Sequence, residues 1–159
     1  MRYNIRVAGA AGLGMNSTAD IIVEVFAELG YLVNTDIEYQ SLIKGWVNYF
    51  DIFVSDRSKY ISKYVDVLIA LDSLNLAAWL KDLKSGACII TNQKNIEKLE
   101  AKGQDFSAYN LLPVASDDKY DNTYLISIFS KLFGLPAHLL EEKIAKIFAK
   151  KWPDVVAQN

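Results

Sequence analysis

Cysteine and histidine are almost absent: the chain has one of each, Cys88 and His138, among 159 residues. An intramolecular disulfide is therefore excluded, a four-cysteine iron–sulfur cluster cannot be held by this chain alone, and no metal site follows from two ligands at unrelated positions. Basic blocks are also missing. The 17 basic and 19 acidic residues are dispersed and leave a net charge of -2, so nothing tracks a phosphate backbone and a nucleic-acid partner is not expected. No apolar run approaches the roughly 20 residues of a membrane span, and residues 1–30 lack the features of a secretory leader. A cytoplasmic protein without a membrane partner is the expectation. Repeats and low-complexity segments are absent too, and a 52 % apolar composition suffices for one core, so residues 1–159 are read as a single domain.

What is present is an α/β pattern. Tyr3 to Ala8 reads as a strand that runs into Gly9-Ala10-Ala11-Gly12-Leu13-Gly14. Asn16 or Ser17 is placed to cap a helix whose Ile21, Ile22, Val25, Phe26 and Leu29 share one face, and Gly30 stops it. Strands are expected at Tyr31 to Ile37 and Val47 to Ser55, with Glu38 to Trp46 as the loop between them. Tyr64 to Leu71 is nearly continuous aliphatic sequence, as for a central strand covered on both faces. Asp72 or Ser73 then opens a helix reaching about Lys84, Gly86 ends it, and Ala87 to Thr91 is another buried strand. Residues 93–106 are too polar to predict more than weak helicity, and Tyr109 to Ala115 is a short apolar segment. Leu125, Ile128, Phe129 and Leu132 recur at helical spacing up to the Gly134/Pro136 break. A last helix carries Glu141 and Glu142 in its first turn and Lys146, Lys150 and Lys151 in its last. The fold class is a three-layer α/β/α domain with a mixed, mostly parallel, Rossmann-like sheet.

Two segments carry candidate chemistry. A strand feeding a helix through glycines aims unpaired N–H groups and a positive dipole end at an anion, so Gly9, Gly12, Gly14, Asn16 and Ser17 are candidate binding residues. The dinucleotide fingerprint wants glycine where Ala11 stands, although Asp36 and Glu38 end the second strand as that fingerprint asks. The same glycines also serve a bare tight turn. The second segment, Glu38 to Phe50, is a loop with one cation, Lys44, a flexible Gly45, Asn48, and the aromatic residues Trp46 and Tyr49. Trp46 fits either a cover packed on the core or a partner contact. His138 reads as an exposed helix-start residue, Cys88 as a buried inert thiol, and Tyr120, Tyr124, Phe129 and Phe133 as helix packing.

Val7-Ala8-Gly9-Ala10-Ala11-Gly12-Leu13-Gly14, the helix end Gly30-Tyr31, and Glu38-Tyr39-Gln40-Ser41-Leu42-Ile43-Lys44-Gly45 together resemble the gamma-type domain of 2-oxoacid:ferredoxin oxidoreductases. The form at the N-terminus of the 2-oxoglutarate-type alpha subunit is the nearest in pattern. Asp121-Asn122-Thr123 opening a helix, Gly134-Leu135-Pro136, and Lys150-Lys151 extend the resemblance along nearly the whole chain. The sequence departs from the family at Lys44 for arginine, Trp46 for a second glycine, and Val47 for histidine, while Asn48 is kept. The resemblance implies a domain with no complete active site, in an enzyme that decarboxylates a 2-oxoacid oxidatively to an acyl-coenzyme A and passes electrons to ferredoxin. Partner domains or subunits would hold thiamine diphosphate and the iron–sulfur clusters. Coenzyme A is the ligand associated with this domain, to be met by Gly12 to Ser17, Lys44, Gly45 and Asn48. A free-standing nucleotide-binding module and a purely structural interaction domain are the competing readings.

Overall fold

The computed structural model describes residues 1–38, 46–115 and 121–151. In chain order these form β1 (Arg2–Ala8), α1 (Met15–Glu28), β2 (Leu32–Glu38), β3 (Tyr49–Ser55), β4 (Val65–Ala70), α2 (Ser73–Trp79), β5 (Leu83–Asn92), α3 (Gln93–Glu100), β6 (Asn110–Val114), α4 (Asp121–Phe133) and α5 (Ala137–Lys151). The six strands make one sheet in the order β2-β3-β1-β4-β5-β6. β1, β4, β5 and β6 pair in parallel, whereas β3 runs antiparallel to both of its neighbours, β1 and β2. The expected mixed, mostly parallel α/β sheet is therefore what forms.

Side-chain alternation sorts the sheet into two faces. On one, Ile5, Val7, Phe50, Ile52, Val54 and Ile69 pack with Ile22 and Phe26 of α1 and Leu125 and Phe129 of α4. On the other, Leu68, Ala70 and Ile89 pack under Leu76 of α2 and Ile96 and Leu99 of α3. α5 lies outside α1, with Leu140 against Ile21, Val25 and Ile126. α1 ends where the glycine places it. Gly30 sits at φ 84°, its N–H bonds Ala27, and the Tyr31 N–H reaches back to Phe26, while the Tyr31 and Phe26 rings meet edge to face. That is the Schellman arrangement with its apolar contact.

Several local expectations give way. Neither Asn16 nor Ser17 caps α1: Gly14 is the N-cap, and no side chain bonds there. α2 stops at Trp79, followed by a 3-10 turn at Leu80–Asp82, and Gly86 falls inside β5. There the pairing with β4 shifts register and the Gly86 N–H turns to Ala108. Gly86 thus marks a strand irregularity, not a helix end. The polar stretch after Asn92 does form a helix, because the Asn92 side chain accepts from the Lys94 N–H and two apolar residues, Ile96 and Leu99, are enough to bury its face. α5 begins at Ala137, so its first turn holds no acidic residue and Glu141 and Glu142 lie beyond it. Tyr124 is exposed, unlike Phe129. Tyr120 lies outside the described residues.

A buried ion pair joins β1 to β3. Arg6 and Asp51 are register partners, and the guanidinium holds the carboxylate bidentately, Nε and Nη2 each donating at 2.7 Å, while Nη1 donates to Asp82 at 2.6 Å. The Tyr49 and Trp79 rings flank the guanidinium, 4.0 and 4.7 Å from its carbon, adding cation–π attraction. Burial works to lower the Arg6 pKa, but the two carboxylates outweigh it and hold the group above its ordinary value. Burial pushes Asp51 up, against the pull of Arg6. These directions oppose each other within one pair, and the bidentate geometry decides in favour of the charged form on both sides. Burial and a hydrogen bond with Glu38 push the Tyr49 phenol up to about 12, so the ring is neutral.

Removing one partner of such a pair leaves a buried charge, whereas replacing both need not. Asp51→Ala is expected to destabilise the fold by about 3–5 kcal/mol, and the double variant Arg6→Met/Asp51→Leu by less than the single one. Urea unfolding of the three proteins checks the order.

Candidate functional site

Because β3 is antiparallel, its start lies beside the ends of β1 and β4, and the segments that leave β1 and β4 meet the one that enters β3 at one end of the sheet. Gly9 leaves β1 hard against β4: a Cβ there would stand 2.9 Å from Leu71. Its N–H bonds the Asn48 carbonyl at 3.3 Å. The Ala10 N–H is taken by a carboxylate, Asp72 Oδ2, at 2.9 Å. At the far end of the turn Asn122 of α4 donates from Nδ2 to the Leu13 carbonyl at 2.6 Å. Gly14 then enters α1 at φ 82°, where a Cβ would collide with Asn122 Nδ2. Gly9 is thus required by close approach, and Gly14 by its left-handed φ.

Asp72 and Asn75 connect this turn to the next loop. Asp72 caps α2 by accepting from the Asn75 N–H at 2.8 Å, and its Oδ2 also takes the Asn75 Nδ2 at 2.9 Å. Asn75 Oδ1 in turn accepts the Asn48 N–H at 3.1 Å. Asn48 and Asn75 are fully buried. The turn after β1, the start of β3 and the first turn of α2 are therefore one hydrogen-bonded unit.

Of the predicted site residues, Gly9, Gly12, Gly14, Asn16, Ser17 and Asn48 lie at this end of the sheet. Asn16 is exposed and Ser17 buried. Lys44 and Gly45 lie outside the described residues. Trp46 is half exposed, which rules out a core lid, whereas Tyr49 packs on Trp79 and Arg6. Sequence reading missed Asn75, which carries no local signal. Asp72 was legible as a helix cap but not as the partner of Ala10, 62 residues away.

The arrangement speaks against a dinucleotide. Ala11 stands at the second glycine position, and the Asp72 carboxylate occupies a turn N–H that a pyrophosphate would use. The acidic residues Asp36 and Glu38 are on β2, and β3 separates β2 from β1. Two strand spacings, about 9–10 Å, then lie between them and the turn, and the Glu38 carboxylate is engaged with Tyr49.

Elsewhere, a cleft of about 300 Å³ is lined by Tyr3, Asp66, Lys84, Cys88 and Phe133, among others. It contains none of the predicted site residues. Lys84 is paired with Asp66 at 2.5 Å, and burial pushes the Cys88 thiol up, as for an unreactive thiol. His138 is exposed. Among the described residues no three His, Cys, Asp or Glu side chains gather as a metal-donor set, and no helix is long and apolar enough to cross a membrane.

Comparison with solved structures finds the same fold. The pyruvate oxidoreductase subunit PORC of Thermotoga maritima aligns with a TM-score of 0.73 and 22 % identity, covering 92 % of this chain and 85 % of that one. The 2-oxoglutarate:ferredoxin oxidoreductase of Magnetococcus marinus, solved with 2-oxoglutarate, coenzyme A and succinyl-CoA bound, aligns with a TM-score of 0.78 and 23 % identity over 98 % of this chain and 28 % of that one. Among curated proteins, the alpha subunit of the 2-oxoacid:ferredoxin oxidoreductase of Saccharolobus solfataricus is 26 % identical over 106 residues, 66 % of this chain. That of a Sulfolobus species is 32 % identical over 85 residues, 53 % of this chain. The aligned segments span 17 % and 13 % of those relatives. The family described as pyruvate ferredoxin/flavodoxin oxidoreductase matches residues 4–159, and this chain belongs to that family.

Proposed function

We propose that the chain is the gamma-type domain or subunit of a 2-oxoacid:ferredoxin oxidoreductase, and that residues 1–159 act as one domain which contributes to coenzyme A binding and packs against the parts that carry the chemistry. The observation that carries this reading is the family match over residues 4–159, joined to a fold shared with such proteins at TM-scores of 0.73 and 0.78. The reaction is oxidative decarboxylation of a 2-oxoacid to an acyl-coenzyme A, with ferredoxin as electron acceptor. Thiamine diphosphate and the iron–sulfur clusters belong to partner domains. A single, half-buried thiol supplies no cluster ligand set here.

The residues at the turn fit coenzyme A on limited terms. Asp72 fills the Ala10 end of the turn, so a phosphate is favoured toward Gly12 to Ser17, where α1 begins on a glycine without a side-chain cap and its dipole attracts an anion. Lys44 supplies a cation. Gly9 and Asn48 hold the geometry through their mutual backbone bond, and Gly45 follows Lys44 in the sequence.

The isolated chain, given thiamine diphosphate, coenzyme A, a viologen acceptor and any 2-oxoacid, is expected to show no turnover, and the assembled enzyme to show it; turnover by the chain alone sinks the reading. In the assembled enzyme Lys44→Ala raises KM for coenzyme A by about tenfold or more, the loss of one charge-assisted contact, and leaves KM for the 2-oxoacid unchanged. Calorimetry on the isolated chain finds weak coenzyme A binding or none. Trp46→Ala leaves the melting temperature nearly unchanged, because the ring is already half exposed, and weakens capture by the subunit or domain that carries the thiamine site, since aromatic anchors concentrate interface energy. Paired melts and pull-downs check both halves.

A further inference from the structure

The sheet ends in two edge strands, β2 and β6, and they are built differently. β6 is five residues long and contains Pro113, which removes a donor and blunts the edge. β2 is seven residues long and keeps unbroken register with β3 from Leu32 opposite Ser55 to Glu38 opposite Tyr49. It has no proline, glycine, lysine or bulge. Among the described residues no strand pairs with its outer side, so its outward N–H and C=O groups form a template for another strand. Leu32 and Ile37 are 47 % and 50 % exposed, and Thr35 and Asp36 are exposed as well.

The edge is self-complementary. If a second β2 runs antiparallel about a two-fold axis at Thr35, Val33 faces Ile37 of the other copy twice, on the face where Val33 already packs against the main core. On the opposite face Asn34 meets Asp36 and Leu32 meets Glu38. No acidic residue stands directly opposite another, and the two Asp36 side chains are diagonal neighbours. Apolar pairs gain from this placement, and the like-charge penalty of directly opposed residues is avoided. A two-fold contact of this kind closes on itself and joins the two six-stranded sheets into one. We propose that β2 is a dimerisation edge, with a second copy of this chain as its occupant, paired through Leu32–Glu38 with Thr35 on the axis.

Sedimentation of the chain over a range of concentrations tests this. A reversible dimer is expected. Thr35→Lys sets two ammonium groups opposite each other and is expected to weaken the dimer by roughly tenfold or more while leaving the melting curve of the monomer unchanged, since the side chain is exposed. Thr35→Cys, bridged by oxidation or a short bis-thiol reagent, is expected to give a covalent dimer whose cross-link joins the two substituted positions, as read by mass spectrometry. Ile61→Cys, at a position 78 % exposed in the β3–β4 connection, is expected to give none. A chain that stays monomeric, a dimer indifferent to Thr35→Lys, or cross-linking equal at the two positions overturns the proposal. So does pairing of β2 with a different subunit only.

Discussion

One carboxylate organises the end of the sheet around the glycine turn. Asp72 accepts from the Ala10 N–H of the glycine turn, from the N–H that opens α2, and from the Asn75 side chain, and through Asn75 it reaches the backbone of Asn48. Each of these donors is partly or fully buried and would otherwise lack a partner, which is an expensive state for a backbone amide. A single side chain thus sets the relative positions of the turn after β1, the entry to β3 and the start of α2. The same carboxylate puts negative charge where related turns receive phosphate.

The second governing feature is the placement of β3. A doubly wound nucleotide fold sets β2 beside β1, so the acid at the end of β2 lies near the glycine turn. Here an antiparallel β3 lies between them, and the acids of β2 are carried outward to the sheet edge. On the face that holds Arg6, cover comes from the end of α2, where Trp79 lies over the guanidinium and Leu76 shares one cluster with Ala8 of β1. Arg6 and Asp51 are buried there, the guanidinium against the Tyr49 and Trp79 rings. They are tolerated because bidentate bonding, Asp82, and the Tyr49 and Trp79 rings replace the water they lose. The ion pair gives β1 and β3 a matched register as well as cohesion, since a slip by one residue would bury both charges unpaired.

Much of this architecture was legible in local pattern. The strand, glycine turn and helix at the start, the stop at Gly30, the central strand around Val67 to Ile69, and the break at Gly134 all follow from periodicity and capping, because those signals act over a few residues. Misreadings came where a local signal had two meanings. Gly86 looks like a helix stop and is a strand irregularity, because the pairing of β5 with β4 outweighs helix propensity after Trp79. Asn16 and Ser17 look like caps, but Gly14 takes the N-cap position because the turn enters α1 at a left-handed φ of 82°, which glycine adopts without strain. Residues 93–100 look too polar for a helix, yet a cap at Asn92 and two buried side chains are sufficient.

The sequence by itself determined the class of fold, the order of its elements and, through the Gly9 to Gly14 turn and the Glu38 to Gly45 segment, the family. Only the tertiary structure decided that Asp72 occupies the turn, that Arg6 pairs with Asp51, that Trp46 is exposed while Tyr49 is packed, and that the acids of β2 stand away from the turn. The physical reason is range. Helix caps, glycine dihedrals and hydrophobic periods depend on neighbours within a turn or two of chain, whereas the Arg6 and Asp72 contacts join residues 45 and 62 positions apart, and their partners are chosen by strand order, which no local pattern encodes.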